Sequence, residues 1–405
     1  MRHFFLEPFI ASITGRPESL FRKDIEQHKT RLRQEIDGRS VLVIGGAGTI
    51  GGSFIRSILR YGAPASLTVV DINENGLTEL TRDLRSGVGY HIPQDYITYP
   101  VNFGEPVFRK IFDQKGHFDI VANFAAHKHV RSEKDEFAIE AMIENNVLKA
   151  KGLLDRLLQS PPRHFFCVST DKAANPVNIM GASKKLMEEV IMAYASRMKI
   201  TTARFANVAF SNGSLPAGFL ERLTKRQPLS SPADIRRFFV SPDESGEICM
   251  LACLLGESGD IFFPKLDAEK DMLTFTLIAE KLLAAYGYEA DYCSSEEEAR
   301  QKALLLTEDS THYPVYFFQS DTSGEKPYEE FYTDKEILDM AQFDTLGIIK
   351  NTSRKEMAEI DTLFIEFEKL FGYGHIDKRE IVRLLNDYLP NFEHIETGKH
   401  LDQKM

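Results

Sequence analysis

Val41-Leu-Val-Ile-Gly45-Gly-Ala-Gly48-Thr-Ile-Gly51 decides how this chain is read. An apolar run leads straight into three spaced glycines. A second apolar run, Leu67-Thr-Val-Val70, ends on Asp71. Strand, glycine turn, helix, and an acid about twenty residues past the turn make up the dinucleotide-binding fingerprint. Gly45 permits the tight turn, Gly48 lets backbone approach a pyrophosphate, and Gly51 lets helix and strand pack closely. Thr49 and Ile50 open the helix, whose free N–H groups and positive dipole end suit phosphate. Asp71 is followed by Ile72-Asn-Glu-Asn75, with no Arg or Lys close by. A carboxylate there accepts a hydrogen bond from a ribose 2′-hydroxyl and repels a 2′-phosphate, which predicts NAD over NADP.

Outward from this stretch, apolar runs at 41–45, 67–70, 97–101, 119–125, 164–169 and 201–208 alternate with helical segments. That rhythm predicts an α/β fold, a Rossmann-type doubly wound parallel sheet. Ligands of such sheets bind beyond the carboxyl ends of the strands, so motifs there carry most weight. The reading divides the chain into an N-terminal helical extension (1–38), an NAD-binding Rossmann domain (39–210), a smaller substrate-binding region with segments returning to the sheet (211–349), and a C-terminal helical extension (350–405). Phe21 to Ile36 is charged with sparse apolar positions and reads as a surface helix. Ser211 to Gly218 and Pro228 to Asp234 read as loops, and Ser294-Ser-Glu-Glu-Glu298 as a solvated helix start. Phe364, Phe367, Leu370 and Phe371 form an apolar stripe.

With 405 residues the chain is long enough for one elaborated α/β unit or two domains, and its net charge of −11 argues against nucleic acid as a partner. Cys167, Cys249, Cys253 and Cys293 show no metal-ligand spacing, so no metal is expected, and few scattered thiols fit a reducing compartment. No apolar run reaches the length of a membrane span, and Glu7 and Pro8 interrupt the apolar start, so a cytoplasmic chain is expected.

His164-Phe-Phe-Cys-Val-Ser169-Thr170-Asp171-Lys172 ends a buried strand in polar residues where the sheet meets its ligand. Met180 and Lys184 stand four apart on the next helix and share a face. At these residues the chain resembles the extended short-chain dehydrogenase/reductase superfamily, and within it the nucleotide-sugar 4,6-dehydratases. The matching pieces are the glycine motif, Asp71, Ala125-Ala126-His-Lys128-His129-Val130, Glu144-Asn-Asn146-Val147, Ser169 to Lys172, Met180 to Lys184, Arg204-Phe-Ala-Asn207-Val208, Arg236-Arg237-Phe-Phe-Val240 and Gly324-Glu325-Lys326. The resemblance covers about residues 38–335. One departure is informative. The superfamily carries a tyrosine base four residues before its lysine, where this chain has Met180, and a thioether cannot transfer that proton. The same exchange marks a dehydratase branch of large membrane-bound enzymes acting on UDP-N-acetylglucosamine in bacterial glycan pathways, and the chain resembles their catalytic part.

The resemblance implies a three-step reaction. Hydride leaves sugar C4 for the nicotinamide as O4 is deprotonated, water is lost across C5 and C6, and the hydride returns to C6. It implies Asp171 as the proton donor to the C6 hydroxyl and a stand-in base at O4, Lys172 as the C5 base, Thr170 as a hydrogen-bond donor to O4, and Lys184 on the nicotinamide ribose. Asn102, Ala125, Ala126, Lys128, Asn146 and Ser169 are expected around the cofactor. Lys128, His129, Asn207, Ser214, Arg237 and Glu325 are expected around the substrate, with Arg237 on its diphosphate. A homo-oligomer and retention at C5 are further implications. GDP-N-acetylglucosamine as substrate, C4 epimerisation, and non-catalytic nucleotide binding are the competing readings. Met180 and the Asp171-Lys172 pair weigh against the epimerase.

Overall fold

A computed structural model describes residues 4–350, 352, 354–372 and 376–396, the side chains of Arg131 and Ser132 excepted. Six apolar runs become parallel strands: β1 (Ser40–Ile44), β2 (Ser66–Asp71), β3 (Asp95–Pro100), β4 (Ile120–Asn123), β5 (His164–Val168) and β6 (Ile200–Ala203). They belong to a nine-stranded sheet in the order β3-β2-β1-β4-β5-β6, which continues through Ile261–Pro264, Leu346–Lys350 and Ile337–Asp339. Ile261–Pro264 runs parallel to β6, Leu346–Lys350 pairs antiparallel with it, and Ile337–Asp339 pairs antiparallel with Leu346–Lys350. β1, β4 and β5 are buried almost throughout because helices cover both faces, which is why they read as unbroken apolar runs. This is the Rossmann-type sheet that was expected. Strand order reverses between β1 and β4, and the crevice at their carboxyl ends is where such sheets bind ligand.

Two three-stranded sheets stand beside it: Met272–Thr274 with Arg236–Val240 and Asn207–Val208, and Glu289–Tyr292 with His312–Phe318 and Leu229–Pro232. Leu229–Pro232 corrects the loop expected at 228–234. It is an edge strand, a place where proline and serine are tolerated because one side needs no ladder partner. The 211–218 loop is likewise shorter than expected, because Ser214 caps a helix that starts at Leu215.

The N-terminal segment is tied to both cores. The Arg22–Ile36 helix is not a plain surface helix: Ile25, Leu32 and Ile36 bury a narrow stripe in the main core. Phe9, Ile10 and Ile13 join a second core with Phe210, Phe219 and Phe239. Arg16 grips both oxygens of Glu244 at 2.9 Å and donates to the Phe239 carbonyl at 2.7 Å. At the other end, Met357–Gly372 and Lys378–Tyr388 pack against the Ile179–Ala193 helix, and Ile360, Leu363, Phe367, Ile381 and Leu385 join the main core. The expected extensions also include positions 1–3 and 397–405, which lie outside the described residues. Among the described residues no helix is long and apolar enough to cross a membrane.

Candidate active site

The glycine turn follows β1 and faces the chain leaving β4. Gly45 has φ +77°, and a Cβ there would stand 2.5 Å from the Ala125 nitrogen. A Cβ on Gly51 would stand 2.3 Å from the Gly45 oxygen. Backbone crowding therefore demands both glycines. Gly48 is different. Its φ is −73°, and the nearest atom to an added Cβ is 3.5 Å away. Nothing among the described residues requires glycine at 48, so the open side of that turn is room for another molecule. Thr49–Tyr61 starts there with no side-chain cap, leaving backbone N–H groups pointing into the same space. Asp71 accepts from the Ala47 nitrogen (3.0 Å) and the Asn73 nitrogen (2.9 Å), one on each oxygen, so each oxygen can take one more donor. These residues fit a dinucleotide with an unphosphorylated ribose.

Around this cradle the other expected cofactor residues have defined tasks. Thr49 accepts from the Asn212 nitrogen at 3.1 Å, which joins the loop after Asn207–Val208 to the glycine turn. Ile50, in the first turn of the Thr49–Tyr61 helix, and Ala125 and Ala126, after β4, are partly exposed. Asn102 closes its own turn by accepting from the Gly104 nitrogen. Asn146 holds the backbone after β4: it accepts from the His127 nitrogen at 2.8 Å and donates to the His127 oxygen and to Ser183 Oγ. Ser169 donates to the buried Glu188, which is also gripped by Arg204. Burial pushes the Glu188 carboxyl up, but the Arg204 guanidinium outweighs this and holds it at about 2.

The polar end of β5 turns through Asp171–Ala173 before Asn178 caps the Ile179–Ala193 helix by accepting from the Gly181 nitrogen. A Cβ on Gly181 would meet the Lys172 carbonyl at 2.7 Å, so this glycine lets the Lys172 turn lie against the helix. Asp171 is buried. Its Oδ1 takes three donors: Thr170 Oγ1 (2.8 Å), the Lys172 nitrogen (2.9 Å) and Lys172 Nζ (3.1 Å). Among the described residues its Oδ2 has no hydrogen-bond partner. Lys184 donates to the Val168 carbonyl at 2.7 Å, and burial pulls it below the ordinary lysine value. Met180 is buried on the first turn of the same helix.

A cleft of about 540 Å³ opens beside this group. Lys128, His129, Asn207, Ser214, Arg237 and Glu325, all expected at the substrate, line it together with Lys172. Lys128 donates to the Asn212 carbonyl at 3.0 Å, and burial lowers its pKa. Arg237 is buried, with Nη1 fixed on the carbonyls of Arg236, Lys326 and Pro327. Its Nη2 faces Glu325 at 3.9 Å and Glu329 at 3.8 Å. Glu325 is held by Ser320 and Thr322.

Two carboxylates escaped the sequence reading. Glu329 lines the cleft, and burial raises its pKa while Lys172 and Arg237 pull the other way. Glu133 accepts from the Met180 nitrogen at 2.8 Å, and burial pushes it up to about 7. Glu133 had one available signal, its place just past Ala125 to Val130. Glu329 had none in its spacing, because only the fold brings residue 329 to residue 172.

The model of the polysaccharide biosynthesis protein family matches residues 41–351. The chain is 27% identical over 322 residues to an uncharacterised membrane protein of Methanocaldococcus jannaschii, covering 77% of this chain and 85% of that one. It is 28% identical to the probable polysaccharide biosynthesis protein EpsC of Bacillus subtilis, covering 78% of this chain but only 49% of the relative, so it spans about half of that longer protein. The structure of Pen from Bacillus thuringiensis shares the fold, with a TM-score of 0.62, 20% identity, and 82% of this chain and 98% of that one covered. The family match takes in the cradle, the β5 end and the Arg237 cleft alike, and the chain belongs to the polysaccharide biosynthesis protein family.

Proposed function

We propose that the chain is an NAD-dependent nucleotide-sugar 4,6-dehydratase that converts UDP-N-acetylglucosamine to a UDP-4-keto-6-deoxy-N-acetylhexosamine for glycan synthesis. One observation carries the reading. Asp171 and Lys172 stand together at the carboxyl end of β5, where Lys172 lines a cleft that also holds Arg237 and Asp171 lies buried beside it, while a thioether occupies the superfamily's tyrosine position.

Gly48, the N-terminus of Thr49–Tyr61 and Asp71 would hold the cofactor, and bound NAD would supply an acceptor for hydrogen from sugar C4 and a donor to C6. The chain's own residues do the rest. Asp171 Oδ2, without a hydrogen-bond partner among the described residues, is assigned proton transfer at the C6 hydroxyl and at O4. Oδ1 stays fixed by three donors, so the carboxylate does not rotate as its other oxygen works. Lys172 takes the C5 proton and gives it back on the same face, which retains configuration. Lys184, anchored on the Val168 carbonyl, keeps a hydrogen-bond donor at the end of β5. Arg237 meets the diphosphate with Nη2, the edge not committed to backbone.

The test is incubation of the purified chain with UDP- and GDP-linked N-acetylglucosamine, with no added cofactor, followed by mass spectrometry. A UDP-sugar lighter by one water is expected. A new isomer of unchanged mass would make the chain an epimerase. Unaltered substrate, with binding intact, would make it a binder.

A further inference from the structure

Lys172 has a problem as a base. As an ammonium its nitrogen has no lone pair with which to take a proton from carbon, and Nζ already donates to Asp171 Oδ1 at 3.1 Å. Glu329 is also unusual. It is only 5% exposed and makes no hydrogen bond among the described residues. Its carboxylate oxygens are not sealed in the core but reach the cleft. Its Oε1 stands 3.8 Å from Lys172 Nζ and 3.8 Å from Arg237 Nη2, one atom facing two cations across the cleft.

We propose that Glu329 takes the ammonium proton of Lys172 when substrate binds, so that Lys172 meets C5 as a neutral amine. The inference rests on the dehydratase reading above. The step balances: an Nζ–H bond breaks, an Oε1–H bond forms, and ammonium plus carboxylate becomes amine plus carboxylic acid. Lys172 then takes the C5 proton, its N–H hydrogens exchange with solvent, and it returns one hydrogen to C5, so Glu329 stays protonated through the turnover. The charged groups around Glu329 are Lys172, Asp171, Arg237 and Lys326. Lys326 is tied to the Asn175 carbonyl, and Asp171 already accepts three donors on one oxygen, whereas Glu329 accepts none among the described residues. A diphosphate drawn to Arg237 Nη2 competes with Glu329 for that cation, which leaves the carboxylate readier to accept a proton. Glu329 thus acts through Lys172, as a positioning and proton-holding residue.

The consequence is a pH signature. Transfer inside the pair changes no net proton count, so it needs no help from solvent pH. In Glu329→Gln, Lys172 must release its proton to solvent. The measurement is the rate of solvent-deuterium incorporation at product C5 between pH 6 and 8, for wild type, Glu329→Gln and Glu329→Asp. The Gln variant divided by wild type should fall about tenfold for each unit the pH is lowered. Glu329→Asp, which keeps the carboxyl, should give a ratio that is flat with pH. A Gln ratio equal to one, or reduced by the same factor at every pH, overturns the proposal. Absence of C5 exchange in wild type itself would instead overturn the dehydratase reading.

Discussion

Gly48→Ala and Gly51→Ala separate what the fold needs from what a ligand needs. At Gly51 the new methyl would sit 2.3 Å from the Gly45 oxygen and 3.0 Å from Gly46 Cα. Those are backbone atoms, so the helix must shift off the turn, and overpacking of this kind costs about 1–3 kcal/mol. At Gly48 the nearest atom is 3.5 Å away and φ is −73°, so alanine fits without strain. Alanine is a poorer N-cap than glycine, which costs roughly 0.5–1 kcal/mol. It also stiffens the unfolded chain, which returns about 0.4–1 kcal/mol. The two nearly cancel, leaving stability within about 0.5 kcal/mol of wild type. The methyl nevertheless projects into the space assigned to the pyrophosphate. Urea denaturation should therefore show a stable Gly48→Ala and a weakened Gly51→Ala. Dinucleotide extracted from the purified proteins should drop at least about tenfold in Gly48→Ala, a loss of 1.4 kcal/mol in binding. A Gly48→Ala variant that folds normally and retains wild-type dinucleotide would refute the reasoning, because nothing would then approach that backbone.

Further outcomes follow from the same geometry. Asp171→Asn removes the charge that orders Thr170 and Lys172 and the oxygen assigned to proton transfer; product formation should fall by about 10²–10⁴ with dinucleotide content unchanged. Burial raises Glu133 from 4.5 to about 7. The folded chain thus keeps a proton that the unfolded chain gives up first, and this contribution is whole below about pH 4.5 and lost as pH rises through about 7. Glu133→Gln keeps an acceptor for the Met180 nitrogen and removes the ionisation. Between pH 5 and 8 its urea stability should gain on wild type by up to about 3 kcal/mol, and a constant difference across that range would count against it. Arg204 is fully buried between Glu188 and Glu336, so Arg204→Met strands two carboxylates and should cost about 3–5 kcal/mol in the same assay.

How much of this was legible beforehand varies with the kind of signal. β1, the glycine turn, β2 and Asp71 were readable because a strand buried on both faces is a continuous apolar run and a crowded turn admits only glycine. Asp171 and Lys172 stood out only through the family resemblance around them, because a polar strand end by itself reads as an exposed loop pair. The Arg22–Ile36 helix looked like a surface element because its buried stripe is narrow and most of its residues are charged. Leu229–Pro232 looked like a loop because an edge strand accepts the residues that turns also use. Glu329 could not be read from pattern at all, since its meaning comes from the atoms 3.8 Å away, contributed by residues remote in the chain.

The central claim is that hydrogen removed from C4 of the sugar is held inside the site and delivered to C6. UDP-N-acetylglucosamine carrying deuterium at C4, turned over in ordinary water without added cofactor, tests it in one NMR spectrum of the product. The account predicts the label in the new C6 methyl group. Label lost to solvent, or still at C4 of an otherwise converted sugar, would contradict it.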